Sequence, residues 1–99
     1  MQITIKTNKS AINLMRRSGY ASLRQNENTG EISFIKRAGE NNYPRFHVYI
    51  KKDGKIITIN LHLDQKKPSY SGSHAHNAEY EGSLLNKEVN RIKKNFETF

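Results

Sequence analysis

Hydrophobic and polar residues alternate along most of this chain, and the alternation predicts strands. Residues 2–6 (QITIK) read as a short strand. Ser10 is placed to cap a helix running to about Arg17, with Ile12, Leu14 and Met15 as its apolar members. Gly19 stands where a left-handed residue ends such a helix. Two hairpins follow. Residues 20–25 (YASLRQ) and 31–37 (EISFIKR) flank the turn-forming NENTG; residues 45–51 (RFHVYIK) and 55–64 (KIITINLHLD) flank Lys-Asp-Gly-Lys.

The Asp53-Gly54 dipeptide suggests a register. With these two as the central residues of a type I′ turn, Ile50 meets Ile57, Val48 meets Ile59, Phe46 meets Leu61 and Pro44 meets Leu63, all on one face. The other face then pairs Tyr49 with Thr58, His47 with Asn60, Arg45 with His62 and Tyr43 with Asp64, and only Ile56 is out of character there. In the first hairpin a four-residue loop sets Leu23 opposite Phe34 on a core face. It leaves Tyr20, Ser22, Arg24, Ser33, Ile35 and Arg37 on the other. If the hairpins join, the two polar faces become continuous.

Apolar residues at 85, 89, 92 and 96 form the stripe of an amphipathic helix, with Ser83 as its N-cap and Lys93 and Lys94 near its negative pole. The Glu-Tyr-Glu before it (79–81) reads as a solvated strand end or turn. The expected fold is α+β: one domain spanning 1–99, with a four- or five-stranded, mostly antiparallel sheet. A short N-terminal helix and the C-terminal helix pack on one face of it.

Composition changes this picture in three ways. A hydrophobic share of 34% over 99 residues allows only a thin two-layer core. The absence of cysteine removes disulfides and thiolate zinc sites, and suits a reducing cytoplasm. No apolar run approaches a membrane span, and the first residues lack a secretory signal, so a cytoplasmic protein without a membrane partner is expected. The charge of +8 is uneven, since residues 1–54 hold ten basic and four acidic side chains. Such a field attracts polyanions, nucleic acid above all; the plainer alternative is charge that only keeps a small protein dissolved.

The words YPRFH (43–47), NLHLDQKKPSY (60–70), His76 and EYEG (79–82) occur in an order that resembles a family of small uncharacterised prokaryotic proteins. The resemblance covers residues 14–94. It implies no activity, only that residues 43–82 form one unit.

Three kinds of chemistry are open to that unit. For binding, Tyr20, Arg24, Arg37, Arg45, His47, Tyr49 and His62 make a stacking and phosphate-tracking face for RNA or single strands. Lys66, Lys67 and Tyr70 extend it, although the aromatic words of the common RNA-recognition module are missing. For catalysis, His47, His62 and His76 are candidate acid–base groups of a metal-free nuclease. For metal, His74 and His76 with His62, and Asp64 or Glu79, have ligand chemistry suited to zinc, the one cofactor the sequence would accommodate. Plainer roles exist for each: tyrosines that pack, histidines in a polar loop. A protein–protein interaction module is the remaining alternative, and the sequence leaves the oligomeric state open.

Overall fold

The computed structural model describes residues 1–65 and 78–98, with only the backbone at 78–81. Its elements in chain order are β1 (Gln2–Lys6), α1 (Ala11–Arg17), β2 (Ala21–Gln25), β3 (Ile32–Arg37), β4 (Arg45–Asp53), β5 (Ile56–Asp64) and α2 (Ala78–Thr98). The strands form one five-stranded antiparallel sheet in the order β1-β5-β4-β3-β2, so the expected α+β architecture is what the chain adopts. Both hairpins join through β3 and β4, where Phe34 faces Val48 and Arg37 faces Arg45.

One face of the sheet is apolar because every second residue is. Phe34, Phe46, Val48, Ile50, Ile57, Ile59 and Leu61 are buried there, together with Leu14 and Met15 of α1 and Val89, Ile92 and Phe96 of α2. Both helices therefore lie on this side. Ser10 caps α1 as expected, its hydroxyl accepting from the Asn13 amide at 3.2 Å. Gly19, at φ 94°, ends that helix with the left-handed residue the sequence predicts.

Four expectations need correction. The β4–β5 register is displaced by two residues: Val48 meets Leu61, Ile50 meets Ile59 and Phe46 meets Leu63. The reversal uses Gly54 and Lys55, not Asp53 and Gly54. Gly54 has φ 62° and Lys55 has no positive φ, the sign pattern of a type II′ turn with glycine first. Moving a turn by one residue moves the register by two, an even step, so the faces keep their composition while the partners change.

The second correction is in β2. The expected register holds for Gln25 with Ile32 and Arg24 with Ser33, then breaks at Leu23. Leu23 bulges out, 51% exposed, and Ser22 takes its place opposite Phe34. One extra residue reverses every face before it, which turns Tyr20 inward, where it is 4% exposed.

Third, α2 begins at Ala78. The helix runs through Gly82 and Ser83, so Ser83 is not its cap and residues 79–81 are helical rather than a strand end. Fourth, it continues to Thr98, past Lys93 and Lys94, and its last turn holds no basic residue.

Tyr20 meets Glu88, a buried acid on the inner side of α2. Its hydroxyl donates to Glu88 Oε2 at 2.5 Å; Arg91 donates from Nε to Oε1 at 2.9 Å and from Nη2 to Oε2 at 2.8 Å. Arg91 Nη2 also donates to the Ser18 carbonyl at 2.6 Å, and Asn95 to the Ser18 hydroxyl at 3.0 Å. These bonds tie α2 to the end of α1. Burial alone would raise the Glu88 carboxyl. The hydrogen bonds from Arg91 and Tyr20 and the nearby charges of Arg91 and Lys36 outweigh it, and hold the group below the usual carboxylate range. Burial, then the Glu88 carboxylate, pushes the Tyr20 phenol far above its ordinary value.

Candidate nucleic-acid interface

The face opposite the helices is assembled row by row from paired strands. Asp64, Arg45 and Arg37 form one row across β5, β4 and β3; His62, His47, Ile35 and Ala21 form the next; Asn60, Tyr49, Ser33 and Arg24 form a third. Gln2, Thr4 and Lys6 of β1 continue the face beyond β5. The cations Lys6, Arg24, Arg37, Arg45 and Lys51 share it with the acids Asp53 and Asp64. Ile56 is its exposed apolar exception, as expected.

Six residues expected from sequence stand on this one face: Arg24, Arg37, Arg45, His47, Tyr49 and His62. Tyr20 does not join them, because the bulge at Leu23 sends it into the core. Lys66, Lys67, Tyr70, His74 and His76 lie outside the described residues, and so does any site built on them. The side chain of Glu79 lies outside them as well. Among the described residues, no group of three or more histidine and carboxylate side chains is arranged to hold a metal ion. Neither described helix is long and apolar enough to cross a membrane.

The register change has a chemical consequence. In the expected register Arg45 faces His62 and His47 faces Asn60. In the structure Arg45 faces Asp64 and the two histidines face each other. Asp64 Oδ2 accepts from Arg45 Nε at 3.3 Å and lies 3.1 Å from His47 Nδ1. A carboxylate only accepts, so Nδ1 carries a proton and Nε2 is the remaining ring position. That Nε2 is enclosed and has no hydrogen-bond partner among the described residues.

Aromatic packing fixes these rings. His47 stacks on Tyr49 with centroids 4.5 Å apart and planes at 22°, while Tyr49 and His62 meet edge to face at 5.7 Å and 76°. At the end of β4 the Arg45 guanidinium sits 5.0 Å from the Tyr43 ring centroid. The result is an aromatic strip along β4 with guanidinium groups on its flank.

Charge on the strip is only partly compensated. Arg37 and Arg45 stand directly opposite each other, an arrangement that costs energy unless an anion lies between or beside them. Asp64 engages Arg45, and Arg37 is exposed. Sequence reasoning missed the central part of Asp64, since a carboxylate at a strand end gives no signal until its partner across the sheet is known. It also missed Tyr43 as a support for Arg45; the residue lies just before β4, where strand alternation gives no face.

No protein-family model and no curated protein matches the chain.

Proposed function

We propose that the protein binds nucleic acid, RNA or other single strands, through the polar face of its sheet. The observation that carries this reading is the strip itself: Tyr49 and His47 stacked along β4, with Arg24, Arg37 and Arg45 on the same face. Unpaired bases stack on aromatic rings whatever their identity, and guanidinium groups follow the phosphates. Asp64 already engages Arg45, so the exposed Arg37 opposite it is the guanidinium placed to take a phosphate. The overall charge of +8 adds long-range attraction. A cysteine-free chain of this kind suits the reducing cytoplasm, where RNA is abundant.

Fluorescence anisotropy with a labelled single-stranded RNA oligomer tests the reading. Each neutralised phosphate of a single strand contributes a slope of about −0.7 in log affinity against log salt. Four such contacts weaken binding about 50-fold between roughly 50 and 200 mM salt. Replacing Arg24 and Arg37 together with Ala lowers that slope by roughly 1 to 2. An affinity indifferent to salt contradicts the proposal, as does a slope that survives the double substitution unchanged.

A further inference from the structure

We propose that His47 and His62 form an acid–base pair that cleaves single-stranded RNA, with the RNA's own 2′-hydroxyl as nucleophile; the inference rests on the polar face holding RNA. Three observations lead to it. Asp64 holds Nδ1 of His47 at 3.1 Å, so the working nitrogen is Nε2, the tautomer a histidine base needs. That atom is buried without a partner among the described residues, and a buried polar atom gains from any group that satisfies it. His62, exposed, stands directly across the strand pair, its ring set against Tyr49, which also stacks on His47. Directly opposed residues of an antiparallel pair hold their Cβ atoms about 5 Å apart. The two imidazoles therefore stand across one strand pair, His62 at the surface and His47 Nε2 beneath it.

The step balances without a co-reactant. His47 Nε2 takes the proton of the 2′-hydroxyl as the 2′-oxygen bonds to phosphorus. The bond from phosphorus to the 5′-oxygen breaks, and the His62 imidazolium gives its proton to that oxygen. The products are a 2′,3′-cyclic phosphate and a free 5′-hydroxyl, and proton exchange with water restores both rings. Arg37, exposed beside the two-histidine row, holds the charged phosphate. Asp64 is a positioning residue, acting through His47. Because Nε2 is enclosed, the proposed step requires the packing around His47 to open as RNA binds.

The test uses the full chain, an end-labelled RNA oligomer and its all-deoxy counterpart, with binding and cleavage measured on the same samples. Cleavage of the RNA alone, ending in a cyclic phosphate, is expected, with a bell-shaped dependence on pH. With rates compared at saturating RNA, so that any loss of binding is separated from loss of turnover, His62→Ala and His47→Ala each lower the rate about 100-fold or more. His62 is exposed, so its variant keeps the test valid even if His47→Ala fails to fold. Asp64→Asn lowers the rate and displaces the pH profile, which a purely structural role would not do. RNA that binds but stays intact overturns this inference and leaves the binding proposal standing. RNA that neither binds nor breaks overturns both. Cleavage of the deoxy strand, or cleavage indifferent to both histidines, overturns the mechanism.

Discussion

Glu88 and Tyr20 show what a single residue contributes where it is buried. Glu88 is 5% exposed and Tyr20 4%, and their contact joins α2 to the chain leaving α1. The Glu88 carboxyl is held below its ordinary value, so its contribution to stability is complete above the usual carboxylate range near pH 4.3. It is lost as pH falls through the lowered value. Tyr20 is shifted upward, so its contribution is complete below about pH 10 and declines as pH rises beyond that. Denaturant titrations across pH should show both limbs. Glu88→Gln is expected to flatten the acid limb and Tyr20→Phe the alkaline one, the latter costing about 1–2 kcal/mol at neutral pH. An acid limb identical in Glu88→Gln and the parent would refute the assignment. The signal for this cluster is visible once sought: Glu88 falls on the inward stripe between Leu85 and Ile92, with Arg91 three residues on. Tyr20 is harder to read. Its face depends on whether one residue in β2 bulges, and no turn residue marks Leu23 as the one that does.

At the scale of the element, alternation was enough to sort β4 and β5 into an apolar and a polar side, because an even register change moves no side chain across the sheet. It was not enough to choose partners. Asp53-Gly54 and Gly54-Lys55 both satisfy a two-residue reversal, one with glycine second and one with glycine first. The difference decides whether Arg45 meets His62 or Asp64, and so whether the histidines face each other. Gly54→Ala tests the reversal. Its φ of 62° is one an alanine adopts only with strain, and nothing lies within 4 Å of an added Cβ, so the cost is conformational. A loss of about 1–2 kcal/mol in unfolding free energy is expected, with the fold retained. No loss would mean that the turn is not built on that glycine. The start of α2 was illegible for a related reason: Gly82-Ser83 has the chemistry of a boundary, and the helix passes through it.

For the whole molecule, the question is which basic surface a polyanion chooses. The polar face carries Arg24, Arg37 and Arg45 beside aromatic rings; the outer side of α2 carries Lys87, Lys93 and Lys94. Net charge attracts RNA to both, so retention on a polyanion cannot tell them apart. Stacking can, because only the sheet places Tyr49, His47 and His62 next to the guanidinium groups. The division of labour follows from the two-layer fold: α1 and α2 cover the apolar side, which leaves the other side of the same strands for polar chemistry.

The most direct measurement is a two-dimensional NMR titration of the labelled protein with a short single-stranded RNA, following backbone amides and the histidine and tyrosine rings. The account predicts that the largest changes fall on Arg24, Arg37, Arg45, His47, Tyr49 and His62, while the amides of Lys87, Lys93 and Lys94 stay nearly still. Changes concentrated on α2, or none at stoichiometric RNA in low salt, would contradict it.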